Sequence, residues 1–167
     1  MGRLVEEVRE WNTPVVGAYL LWRFTNAYRA NHPTGDAPVV LLHFIAFSML
    51  TNSDYSNEVS GKRPNLASYT RSFEEDKKSD ILAFLLQRII QQREATMRAI
   101  DIAVATGLLA WDVENAKLHP LHKFTNKKGT ASMGIDVQPL GSKAETIGKW
   151  FSELDIPTIA SLLGVVL

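Results

Sequence analysis

The 167-residue sequence carries 18 Lys plus Arg against 18 Asp plus Glu, so its formal charge is zero and selects neither nucleic acid nor an anionic membrane as a partner. With 46% hydrophobic residues it is too apolar for bulk disorder, and its length predicts one domain, residues 1–167, with a core of its own. It has no Cys, which excludes disulfides, thiolate zinc sites and a Cys nucleophile and fits the reducing cytoplasm, the expected location.

Along the chain, Glu6, Glu7 and Glu10 fall where a secretory signal needs an apolar core, so none is expected. Asn12-Thr13-Pro14 is a helix start: Asn12 or Thr13 can accept a free backbone N–H, and Pro14 suits the first helical position. Val16, Leu20, Leu21, Phe24 and Tyr28 then recur at helical spacing until His32-Pro33-Thr34-Gly35. A second helix is predicted from Pro38 through "VVLLHFIAFSML". It is apolar nearly all round and belongs at the centre of the core. The run from Ala37 to Leu50 is shorter than the roughly 20 residues of a membrane span, so no membrane contact is expected.

"TNSDYSNEVSGKRPN" (51–65) is polar, holds Gly61 and Pro64, and is predicted as a surface connection with at most one helical turn. Asn65 can cap a helix from Leu66 to Arg71, or Ser72-Phe-Glu-Glu75 can open it as a capping box. Apolar residues at 81, 82, 85, 86, 89 and 90, and again at 97, 100, 104 and 108, predict two helices over 79–91 and 93–106, or one kinked helix, ending at a left-handed Gly107. "LLAWDVENAKLHPL" is predicted as a short β-hairpin, and residues 122–141 as a loop. Ser142-Lys-Ala-Glu145 has capping-box spacing for a helix to about Glu153, and a last helix is expected from Thr158 to Leu163, ended by Gly164. The fold class is therefore mainly α: one helical domain of six to seven helices with a short hairpin. A winged-helix-like centre stays open.

The chain offers little chemistry. It lacks Gly-x-Ser-x-Gly, Gly-x-x-x-x-Gly-Lys-Ser/Thr and Gly-x-Gly-x-x-Gly, so neither catalytic residues nor cofactors are assigned. His119-x-x-His122 is the only close His pair, but Pro120 forbids a regular helix there and no metal is assigned. His43, inside an apolar helix, reads as a hydrogen-bonded core His. Residues 116–130 hold Lys117, Lys123, Lys127 and Lys128 and no acid, which makes them the candidate nucleic-acid contact, as on a wing. The preceding helix has only Arg93 and Arg98 to read bases, so weak DNA contact is the most this patch predicts. Trp150, Phe151, Ile159 and Leu162 are expected in the core. Val165, Val166 and Leu167 lie beyond the Gly164 stop and, with the hairpin's Trp111, are the candidate partner interface.

"KAETIGKWFSELDIPTIASLLGVVL" (143–167) resembles the C-terminal signature of the middle component of three-component ABC (ATP-binding cassette) systems, with its Lys-Ala start, Gly-Lys-Trp-Phe helix and Pro-Thr-Ile helix ending in Leu-Leu-Gly-Val. "NTPVVGAYLLWRFTNAY", "VVLLHFIAFSML" and "REATMRAIDIAVATGLLAWD" resemble other family segments in order, while 51–65 departs from the pattern. The resemblance implies a non-enzymatic adaptor. Its implied partners are an SMC/Rad50-like ABC ATPase subunit and an effector subunit of the same operon, acting in prokaryotic defence against phage or plasmids. The alternative is a winged-helix-like nucleic-acid binder.

Overall fold

The computed structural model describes residues 14–121 and 137–166. Among them are nine helices and one hairpin: α1 (Pro14–Asn31), α2 (Val40–Leu50), α3 (Ser53–Ser56), α4 (Leu66–Glu75), α5 (Ser79–Ala83), α6 (Leu85–Gln91), α7 (Arg93–Ala105), β1 (Leu109–Asp112), β2 (Lys117–Pro120), α8 (Gln138–Ser152) and α9 (Ile156–Leu163). The chain is mainly helical, as its periodicity predicts. The count exceeds seven because 51–65 contains α3 and because the 79–91 stretch breaks at Phe84. The proposed caps Asn12 and Thr13 lie outside the described residues.

The core is organised around α1 and α2. On α1, Leu20, Leu21 and Phe24 are fully buried, and on α2 so are Leu42, Ile45, Met49 and Leu50. Small residues set how closely α1 meets its neighbours. A Cβ on Gly17 would lie 2.9 Å from both Ala99 Cβ of α7 and Phe47 Cε2 of α2. Gly148 brings α8 against the backbone of α1 at Phe24. The rings continue this packing, with Phe24 edge-on to Phe151 at 5.8 Å and to His43 at 5.2 Å.

The 51–65 segment is not merely a surface connection. Tyr55 and Val59 are each 3% exposed. Asn52 caps α3 by accepting the Asp54 N–H. Tyr69 donates to the Tyr55 carbonyl at 2.9 Å, Tyr55 donates to the Ile81 carbonyl at 2.7 Å, and Lys143 Nζ donates to the Ser56 carbonyl at 2.7 Å. Polar composition disguised the segment because two of these anchors are its backbone carbonyls, which every residue supplies. Asn65 caps α4 through the Ser68 N–H, and the helix runs through Ser72 to Glu75.

The capping box placed at Ser142–Glu145 is also corrected. α8 opens at Gln138 with Pro139 in its first turn, so Ser142 and Glu145 lie inside the helix. Glu145 instead pairs with Arg23 of α1 at 2.8 Å. A Ser-x-x-Glu spacing is also that of one helical turn, and the proline three residues before Ser142 decides the start.

His43 is fully buried. Its Nδ1 lies 3.1 Å from the Val39 carbonyl, which can only accept, so Nδ1 carries the hydrogen. Nε2 then lies 2.8 Å from the Thr25 hydroxyl, whose single hydrogen is shared between Nε2 and the Leu21 carbonyl. Burial pushes this imidazole down to about 4, against 6.5 for an ordinary His. Because the folded value is the lower one, the unfolded chain binds the proton more readily between these limits. The stabilising contribution is complete above pH 6.5 and is lost as pH falls towards 4, by about 3 kcal/mol in total. Melting temperature followed from pH 7 to 4.5 should therefore fall more steeply for the native chain than for His43→Gln. Parallel curves would refute this.

Candidate interaction surfaces

The hairpin pairs Leu109 with Pro120, Ala110 with His119, Trp111 with Leu118 and Asp112 with Lys117. Its apolar face starts in the core, where Leu109 and Leu118 are buried, and emerges with Trp111 38% exposed. Beyond the strand, Val113 is 83% exposed. Asp112 holds the turn by accepting from the Asn115 backbone and side-chain N–H groups, and Ala116 takes a left-handed φ of 52°. Those Asn115 bonds, with His119 beside them, hold the Asp112 carboxyl below the usual range. His119 Nε2 lies 3.5 Å from Asp112 Oδ2, while His122 lies outside the described residues. Among the described residues no three His, Cys, Asp or Glu come together as a metal site.

Of the four candidate lysines, only Lys117 is among the described residues. Its Nζ reaches both oxygens of Asp36, at 2.7 and 2.8 Å, and holds that carboxyl below its ordinary range. Lys117 is thus committed to an intramolecular ion pair that fixes the loop before α2 to the hairpin. The same join is made by a bridge from Val39 to Lys117 and by the Val40 N–H donating to the Ala116 carbonyl at 2.7 Å. The hairpin does follow a helix as a wing would. However, α7 buries Thr96, Ala99, Ile100 and Ala103, and its outer face mixes Glu94, Arg98 and Asp101 rather than presenting a basic stripe. Lys123, Lys127 and Lys128 lie outside the described residues.

The tail divides one residue later than expected. Trp150, Phe151 and Ile159 are buried, with Trp150 5.4 Å from the Tyr69 ring. Leu163 is fully buried and Leu162, partly buried, packs against the same core. Gly164 turns left-handed at φ 68°; its N–H donates to Ser161 and the Val165 N–H donates to Ala160. This is a Schellman ending, which folds the residue after the glycine back onto the helix. Val165 is accordingly 6% exposed and joins the core, which corrects its placement among residues with few neighbours. Val166 is 79% exposed, and Leu167 lies outside the described residues. The signal for Val165 was present: an apolar residue directly after a C-terminal glycine.

One surface was missed entirely. At the break between α5 and α6, Phe84 is 59% exposed, and Ile90, near the end of α6, is 62% exposed. Phe84 lies out of phase with Ile81, Leu85 and Ile89, which face inward. That mismatch was the available signal. A recess of about 290 Å³ lies beside it, lined by Asn52, Asp54, Tyr55, Gln87, Arg88 and Gln91 among others. No helix among the described residues is long and apolar enough to cross a membrane.

No curated protein and no solved structure matches the chain. A sequence model of the family described as ABC-three component (ABC-3C) system Middle Component 3 matches residues 1–167. The match spans the tail, the hairpin and the helices, including the 51–65 segment that looked divergent and that the aromatic and lysine anchors tie into the core. The chain belongs to the middle component 3 family of ABC-three component systems.

Proposed function

We propose that the chain is a single-domain, non-enzymatic adaptor that joins an SMC/Rad50-like ABC ATPase to an effector subunit in a cytoplasmic anti-phage or anti-plasmid system. Membership of a middle-component family over the whole sequence carries the reading. Exposed apolar side chains at Trp111 and Val113 on the hairpin, and at Phe84, Ile90 and Val166, are available to such partners. DNA contact through the basic 116–130 stretch is secondary, since Lys117 is held by Asp36.

Co-expression of the chain with the other two components tests the proposal. The expected result is a complex containing all three, with ATP turnover confined to the ABC subunit. Turnover by the isolated chain, or its failure to retain either component, would overturn it. The tail gives a finer test. Val165→Ala should cost about 1–2 kcal/mol by uncovering a core position. Val166→Asp should leave melting unchanged and weaken partner retention. If Val166→Asp alters neither, Val166 is not part of the interface.

A further inference from the structure

The Arg88 side chain makes no hydrogen bond or ion pair with any described residue, and its Nε is buried without a partner. That is an unusual state for a group with five N–H donors. A buried donor left unsatisfied is disfavoured, and each such group in a folded protein calls for a physical reason. A planar fork of donors at the edge of a recess is suited to a carboxylate, which it can hold through two parallel bonds.

The surroundings narrow the ligand further. Asn52 uses its Oδ1 to cap α3, leaving its amide N–H groups for the recess. Gln87 and Gln91 add further amides, spaced four residues apart on α6 and its end. Asp54 also lines the recess, and its negative charge opposes a dianion more than a monoanion. Phe84, one turn before Arg88, offers an exposed aromatic ring at the rim. Positive charge, amide donors and an apolar rim together match an Asp, Glu or C-terminal carboxylate that sits next to an apolar residue.

We infer that Arg88 and Phe84 form an anchor for a carboxylate-bearing apolar segment of another component of the same system. The inference rests on the adaptor reading for the identity of its occupant, but the recess can be tested without a partner.

The first test uses the isolated chain. The Arg88 Nε–H resonance, assigned by its loss in Arg88→Lys, is followed by NMR during titration with N-acetylphenylalanine, which carries a carboxylate beside a ring. A saturable shift is expected, weakened in Phe84→Ala and absent with neutral phenylalaninamide. No shift, or an equal response to phosphate or sodium chloride at matched ionic strength, would overturn the site. The second test is co-purification with the other two components. Arg88→Lys keeps the charge but removes the fork, and should lower retention of one component at least about tenfold. Retention unchanged in Arg88→Lys would overturn the anchor. Failure of the native chain to retain either component would overturn the adaptor reading, while the titration still decides the recess.

Discussion

Trp150→Ala is expected to lower stability by about 3–5 kcal/mol, the cost of emptying a large buried site that cannot fully collapse. Trp150 is 1% exposed and packs on Tyr69, whose hydroxyl in turn holds the Tyr55 carbonyl. Loss of the indole should therefore loosen α3 and α4 as well as α8. That is a large share of the roughly 5–15 kcal/mol that keeps a typical domain folded. Urea denaturation measures the total, and amide exchange across residues 52–75 measures the spread. A loss below about 1 kcal/mol, or unchanged exchange in that stretch, would contradict the packing described above.

Gly148→Ala should act in the opposite direction to an ordinary helix substitution. On an exposed helix the change would gain about 1 kcal/mol from propensity. Here the new Cβ would sit 2.5 Å from the Phe24 carbonyl oxygen and 3.0 Å from the Tyr28 backbone nitrogen. Neither is the end of a flexible side chain, so α8 and α1 must separate, at a cost of about 2–3 kcal/mol that outweighs the gain. Gly61 is the control: a Cβ there meets nothing within 4 Å, so Gly61→Ala should be nearly neutral. Equal denaturation midpoints for native chain and Gly148→Ala would refute the close approach.

The elements whose physics is local were legible in the sequence. The α2 segment is apolar on every side and could only be central. Asn65, Gly107 and Gly164 act at chain distances of a few residues, through a cap or a left-handed φ, and they occupy the expected places. The family was legible too, because its tail signature consists of the same core residues, Gly148, Trp150, Phe151 and Ile159, that the packing requires.

The sequence by itself determined the helical class, the hairpin, most helix ends and the apolar residues that build the core. These follow from periodicity, capping and turn chemistry, which act within one or two turns. Only the tertiary structure decided which charges are already spent, as Lys117 is on Asp36 across 81 residues and Glu145 on Arg23 across 122. It also decided that polar 51–65 is anchored through its carbonyls and the buried Tyr55, that Val165 folds inward while Val166 does not, and that the Arg88 Nε lacks a partner beside an exposed Phe84. Whether a charge or an apolar group is available to another protein depends on what the rest of the chain brings to it. That is a property of long-range contacts, which spacing along the sequence does not encode.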